Sequence, residues 1–269
     1  MRHLLLLLSL LILTACQEEL PPPPPATQSV ATTALPVHLG LAEGSSPWLA
    51  AQLEGFRAGG APFALVEGSQ SALQADLDHF VIEAFISHQV PAGDQYWFNP
   101  IAVDGLVILT HPDNPIAGLT LSQVQAIFSG ALTNWQDAGG NDAPITLIGR
   151  PAETNTHQLF RQRVLSELRL GITAEIAATD SDLRQVVAAN PAAVGYSMMG
   201  AAGVELVRTL AIETISPTPQ TTADQTYPLS IPFYFIALAE PTGPERALLA
   251  WLQSDAGQRQ LSDHYGRVR

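Results

Sequence analysis

Short apolar runs alternate along this chain with segments whose apolar residues recur at three- and four-residue spacing, the pattern of strands exchanging with amphipathic helices. Residues 36–41 predict a first strand. Behind Glu43-Gly44-Ser45-Ser46 stands Pro47, a favoured first helical residue after a serine cap, and Leu49, Leu53 and Phe56 complete a helical stripe. Residues 63–66 predict a second strand, 69–77 a short helix, and 79–86 a third strand interrupted by Glu83. Residues 96–98 and 101–110 predict a long extended run around Asp104-Gly105. Thr120 caps a helix carrying Leu121, Val124, Ile127 and Phe128, and 130–140 is a loop holding Asn134-Trp135. Further on, 172–178 and 182–189 predict short helices, 193–198 and 205–212 strands, 216–226 a polar turn-rich segment, and 231–239 a strong strand. Leu248, Trp251 and Leu252 mark a helix after Thr242 and Pro244, and 254–266 a last one.

One junction stands out. Ile145, Leu147 and Ile148 predict a strand, Gly149-Arg150-Pro151 a loop, and Thr154-Asn155-Thr156 the start of a helix whose stripe is Leu159, Phe160, Val164, Leu165 and Leu168. The first turn of a helix carries N–H groups without internal partners and a partial positive charge, so an anion there satisfies both. Thr154 and Thr156 add hydroxyl donors, and Arg150 adds a planar charged fork that matches an oxyanion. Two readings stand side by side: an ordinary capped helix beside a surface arginine, or half of an anion site.

Alternating strands and helices predict an α/β fold of layered, largely parallel sheets. At 269 residues the chain accommodates two medium lobes. The two long apolar strands near 101–110 and 229–239 are candidate crossovers between them. Lobe 1 would then comprise 35–105 with 229–269, and lobe 2 would comprise 106–228.

Composition changes the picture in three ways. Arg2 and His3 precede an apolar run from Leu4 to Leu13, broken only by Ser9 and ending in Leu13-Thr14-Ala15-Cys16. This resembles a bacterial lipoprotein signal, with 1–15 removed and Cys16 lipidated. Residues 16–34 then form a linker whose five prolines, Pro21 to Pro25, hold the domain roughly 15 Å further from the bilayer. Cys16 is the only cysteine, so the exported domain has no disulfide and no cysteine metal site. All twelve basic residues are arginine against 25 acidic ones, a net charge of −13 that loss of Arg2 takes further negative. Such a surface argues against nucleic acid and against electrostatic membrane docking. Any anion must be held by local donors.

Several motifs together carry a family resemblance. Ile101-Ala102-Val103-Asp104-Gly105, His111-Pro112-Asp113-Asn114-Pro115, Leu119-Thr120-Leu121, Ile127-Phe128-Ser129-Gly130, Thr133-Asn134-Trp135 and Gly139-Gly140 come first. Val194-Gly195-Tyr196, Tyr227-Pro228-Leu229-Ser230 and the closing stretch from Gly257 to Tyr265-Gly266 follow. In order and spacing, over 36–267, the chain resembles the phosphate-binding proteins that serve ABC importers. The resemblance implies a two-lobed, periplasmic-binding-protein-like fold, each lobe a mostly parallel sheet flanked by helices, joined by two crossover strands. It implies a monomer, anchored outside the cytoplasm by lipid on Cys16, that captures phosphate or a related tetrahedral oxyanion and delivers it to ABC permease subunits. Hinges fall near 103–108 and 229–234. The family holds its ligand by a Gly-Ser-Thr-like helix start, an aspartate after a first-lobe strand, and an Arg-x-x-x-Ser-Gly-Thr motif. Gly44-Ser45-Ser46 matches the first element, and Arg150 with Thr154, Asn155 and Thr156 the third. An ungapped count from Asp78 puts Glu83 where the aspartate is usual. A carboxylate there accepts only from an oxyanion that still carries a proton, which favours phosphate over sulfate.

The departures are Asn155 for glycine, Thr154 for serine and Glu83 for aspartate. They leave room for another oxyanion or a small carboxylate, or for a sensor or surface-attachment role without transport. An enzyme is not expected: no Gly-x-Ser-x-Gly elbow, His-x-x-x-His spacing or Gly-Lys-Ser/Thr phosphate loop occurs, and no cofactor or metal is implied.

Overall fold

A computed structural model describes residues 35–58, 61–203 and 205–268. The expected leader and proline-rich linker, Cys16 included, lie outside the described residues. In chain order the first part runs β1 (Val37–Ala42), α1 (Pro47–Gly55), β2 (Arg57–Ala58), β3 (Ala61–Gly68), α2 (Gln70–Asp78) and β4 (Ala84–Ser87). β5 (Trp97–Thr110) leads into β6 (Gly118–Leu119), α3 (Leu121–Ser129), β7 (Thr146–Gly149), α4 (Asn155–Phe160), β8 (Glu175–Ile176), α5 (Asp180–Ala189) and β9 (Ala193–Met198). β10 (Arg208–Thr209), β11 (Ala211–Ile212), α6 (Pro219–Ala223), β12 (Ser230–Ala237), α7 (Gly243–Gln253) and α8 (Asp255–Leu261) follow.

Everything is strung on β5. Ten strands form one mixed sheet in the order β2-β3-β1-β4-β12-β5-β9-β7-β8, with β10 also on β5, and β11-β6 stands apart. Residues 97–105 of β5 pair antiparallel with β12, and residues 106–110 pair antiparallel with β9. β1 lies parallel to β3 and β4, and β7 parallel to β8 and β9. One strand therefore belongs to two parallel-sheet systems, and it changes partner at Asp104-Gly105-Leu106. From Ile101 to Thr110 β5 is wholly buried. Its side chains alternate: Leu106 and Ile108 enter one core cluster, Val107 and Leu109 another on the opposite face. On the β1 side, Leu39 and Leu41 pack with Leu49, Leu53, Leu248 and Leu252 under α1 and α7, while Phe85 and Ile236 pack with Leu73 and Leu77 of α2.

The helices start where their caps predict. Ser46, Ser69, Thr120 and Thr154 are N-caps of α1, α2, α3 and α4, each side chain accepting a backbone N–H, and Thr120 with Gln123 closes a capping box. α4 runs on through a π-helical turn at Arg161–Leu165.

Three expected elements fail, the first to a local turn and the other two to pairing with distant strands. The strand expected over 79–86 is confined to Ala84–Ser87. The preceding residues finish α2: the N–H groups of His79, Phe80 and Val81 return to the carbonyls of Ala75, Leu77 and Asp76, and Phe80 takes a left-handed φ of 58°. No helix forms over 172–178. Its backbone is used at the sheet edge instead, with Glu175 and Ile176 registered on β7 and Ala177 N–H donating to the Gly149 carbonyl at 3.0 Å. The strand expected over 205–212 splits, because Thr209 lies on β5 while Ala211 lies on β6.

The aromatic core beneath α4 has one centre. Phe160 stacks on Tyr196 at 3.9 Å and 7°, and Phe128 meets both rings edge-on at 4.8 and 5.5 Å. Replacing Phe160 by alanine opens a cavity there. Urea unfolding should register a loss of about 3–5 kcal/mol, and a loss below ~1 kcal/mol would mean that the stack relaxes to fill the space.

Candidate functional site

The carboxyl ends of β1, β4, β7 and β9 converge, the position in which open α/β sheets hold ligands. β1 delivers Glu43-Gly44-Ser45-Ser46, β4 delivers His88 and Gln89, β7 delivers Arg150, and β9 delivers Met198 and Gly200. Gly44 (φ +82°) backs directly onto Thr156: a Cβ there would stand 2.5 Å from Thr156 Oγ1 and 3.4 Å from Met198 Cγ. The helix start of α1 and that of α4, far apart in the chain, thus face one another across this point. A cleft of about 500 Å³ opens beside it, lined among others by Glu43, Gly44, Ser45, Ser46, Arg150 and Asp180.

Of the residues expected in the site, six are brought together: Ser45, Ser46, Arg150, Thr154, Asn155 and Thr156. Ser46 is buried, its Oγ accepts the Trp48 N–H, and its own N–H donates to the Tyr265 hydroxyl at 3.0 Å. Ser45 Oγ donates to the Ala42 carbonyl. Arg150 is 4% exposed, with one guanidinium nitrogen donating to the Ala177 carbonyl at 3.1 Å and another 3.6 Å from Asp180. Two buried polar atoms at this point, Arg150 Nε and Thr156 Oγ1, have no hydrogen-bond partner.

Glu83 is not among them, and its assignment is corrected. It precedes β4 rather than following it. It is about half exposed and accepts the His38 N–H at 2.7 Å beside the opening of β1. At a strand rise of 3.3 Å it stands roughly 13 Å from Ser87 along the chain. The residue that follows β4 is His88. The ungapped count from Asp78 misses it because the turn that finishes α2 consumes the intervening residues.

His88 belongs to a chain of buried hydrogen bonds that sequence reasoning did not assign. Gln89 Nε2 donates to Asn155 Oδ1 at 2.9 Å, Asn155 Nδ2 faces His88 Nδ1 at 3.4 Å, and His88 Nε2 meets Asp104 Oδ2 at 3.0 Å. The other oxygen of Asp104 accepts the N–H groups of Gly105 at 2.7 Å and Gly200 at 3.1 Å. Both His88 and Asp104 are almost inaccessible, and His88 also stacks on Phe233 at 4.2 Å. Asn155, which replaces the family's usual glycine, is thus spent on bonds to Gln89 and His88. Asp104 was legible as part of a motif, but its partners come from distant strands.

Glu43 is the other unassigned group. Its Oε1 accepts the Asn155 N–H at 2.6 Å, so a carboxylate caps α4 from across the cleft. Burial pushes its carboxyl above the usual carboxylate range, against the opposing pull of the Asn155 N–H and the Arg150 charge. Tyr196 ties the core to the site: the Arg150 N–H donates into its hydroxyl at 3.1 Å, leaving the phenol proton for His157 Nδ1 at 2.7 Å. Burial, with Arg161 adding to it, lowers the His157 pKa, which suits an acceptor nitrogen. Burial drives the Tyr196 and Tyr265 hydroxyls upward, so both stay protonated.

A family model described as a PBP superfamily domain matches residues 41–255. The chain belongs to the PBP superfamily. Among curated relatives, the phosphate-binding protein PstS of Bacillus subtilis is 27% identical over 222 residues, covering 79% of this chain and 69% of the relative. PstS of Pseudomonas aeruginosa is 30% identical over 182 residues, covering 60% of this chain and 56% of its own length. A solved Clostridium perfringens substrate-binding protein, assigned to a phosphate ABC transporter and carrying bound phosphate, superposes with a TM-score of 0.77. It is 24% identical, and the alignment covers 88% of this chain and all of that one, a likeness of fold. The PBP-superfamily fold and the resemblance to phosphate-binding proteins read from the sequence both hold.

Asp104 offers a direct test of how the site is held. Asp104→Ala would leave His88 and two backbone N–H groups without an acceptor. At about 1–3 kcal/mol for each orphaned buried donor, urea unfolding should lose ~3 kcal/mol or more. A change under ~1 kcal/mol would mean that water replaces the carboxylate.

Proposed function

We propose that this protein is an extracytoplasmic solute-binding protein that captures phosphate, or a closely similar tetrahedral oxyanion, and passes it to the permease of an ABC importer. The observation that carries the reading is the pair of buried, unpartnered polar atoms, Thr156 Oγ1 and Arg150 Nε, beside two facing helix starts. Both are groups an oxyanion would satisfy, and both belong to the motif that matches the family. The phosphate-binding names of the curated relatives support the choice of ion.

On this reading residues 35–105 with 229–269 act as one lobe and 106–228 as the other, turning about 103–108 and 229–234. The change of partner along β5 supports that division. Ser45 and Ser46 serve the ion from one lobe, Arg150, Thr154, Asn155 and Thr156 from the other. The ion is bound and released unchanged. The protein works as a monomer, held at the membrane through lipid on Cys16, with 16–34 as its spacer; the leader pattern in the sequence supports the anchor.

Titration calorimetry with phosphate, sulfate, molybdate and small carboxylates tests the reading. Phosphate should bind most tightly. Arg150→Ala should weaken it by about 10- to 100-fold, the scale of a hydrogen bond to a charged group. Undiminished binding in that variant would move the site elsewhere, and preference for a small carboxylate would replace the ion.

A further inference from the structure

We propose that Glu43 is a built-in competitor for the anion site, a side chain whose carboxylate holds the α4 amide that an incoming oxyanion must take over. This rests on the oxyanion-binding reading above and adds a specificity-determining residue to it.

The geometry is unusual for an anion site. The Asn155 N–H, one of the free donors at the start of α4, is already answered by Glu43 Oε1 at 2.6 Å. Glu43 is not part of α4. It reaches across from the end of β1, next to Gly44, whose Cα lies against Thr156. Its carboxylate lines the cleft beside Arg150, so it draws on the same guanidinium field. Yet the competitor does not complete the site. Thr156 Oγ1 is fully buried and Arg150 Nε nearly so, and neither finds a partner. One monoanionic side chain thus uses part of a donor set that a tetrahedral dianion could use more fully.

Two consequences follow from the charges. An ion arriving with Glu43 ionised must displace it or lie against it, and like charges in a half-buried site repel strongly. The charged groups acting on Glu43 are Arg150, which attracts its charge, and Asp180 and Glu153, which oppose it. Glu54, Glu67 and Arg184 line the same cleft. Protonating Glu43 removes the competing charge and weakens its bond to the Asn155 N–H. Burial raises its pKa, so that change falls at milder acidity than for an exposed glutamate. As pH falls, Glu43 should cease to compete.

The experiment uses the full chain and sulfate as well as phosphate, because sulfate has no titrating proton between about pH 5 and pH 7. Calorimetry on the wild type, Glu43→Gln and Glu43→Ala should find sulfate bound at least ~10-fold more tightly by both variants at neutral pH, about 1.4 kcal/mol. Wild-type affinity for sulfate should rise as pH falls from about 7 to about 5, and that rise should vanish in Glu43→Gln. Variants that bind equally well or more weakly, while the wild type binds, would overturn the competitor and leave oxyanion binding standing. Oxyanions bound by none of the three proteins would instead sink the binding reading and the competitor with it. The Asn155 amide resonance gives a second readout that needs only the wild type. It should move as Glu43 titrates and move again when sulfate binds. An amide that ignores bound sulfate would show that the ion never takes Glu43's place.

Discussion

A carboxylate with no access to water must be surrounded by donors, and Asp104 meets that demand at the point where β5 changes partner. Its donors come from three directions: Gly105 on its own strand, Gly200 beyond β9, and His88 beyond β4. Losing any of them would leave a buried carboxylate undercompensated, so the ends of β4 and β9 are held to its two oxygens, Oδ2 and Oδ1. The site depends on that registration. His88 carries the chain of bonds on to Asn155 and Gln89, and Tyr265, packed against Gly200, receives the Ser46 N–H. The α1 start and the α4 start therefore meet through a polar network anchored on one side chain rather than through apolar packing alone.

The proposed anion site is assembled inside a chain whose net charge is −13. Long-range attraction cannot recruit an anion to such a surface, and solvent screening limits its reach in any case. Binding has to come from short-range donors in a low-dielectric pocket, where fixed dipoles need no reorganisation. The backbone amides at two helix starts and the buried Arg150 fit that requirement. The aromatic core supports them: Tyr196, stacked on Phe160, fixes the Arg150 backbone and His157 through one hydroxyl. Apolar packing and the anion donors are thus coupled through one phenol.

Much of this was legible along the chain. Caps at Ser46, Thr120 and Thr154 and the buried run through β5 follow from patterns confined to a few neighbouring residues, while the pairing of Gly44-Ser45-Ser46 with Arg150 and Thr154-Asn155-Thr156 comes from the family resemblance. Those patterns are local because a cap or an alternating strand is satisfied by bonds within a turn or across one face. Where the backbone had a choice of partner, local reading failed. Residues 172–178 went to the edge of β7 instead of coiling, and 205–212 divided between β5 and β6. A short segment cannot reveal which distant strand has donors and acceptors to spare.

The same limit explains the misplaced carboxylate. The family resemblance implies an acidic residue after a first-lobe strand, and Glu83 is the one within reach of an ungapped count. The turn closing α2 shifts the strand onward, so Glu83 faces His38 at the wrong end and His88 arrives at the right one. The acidic group that does reach the α4 amide is Glu43, which in the sequence merely precedes a helix start. Sequence alone determined most of the elements, their order and the two donor-rich helix starts, because each depends on short-range hydrogen bonding and periodic burial. Only the tertiary structure decided which carboxylate meets which amide, because that depends on where strands far apart in the chain come to an end.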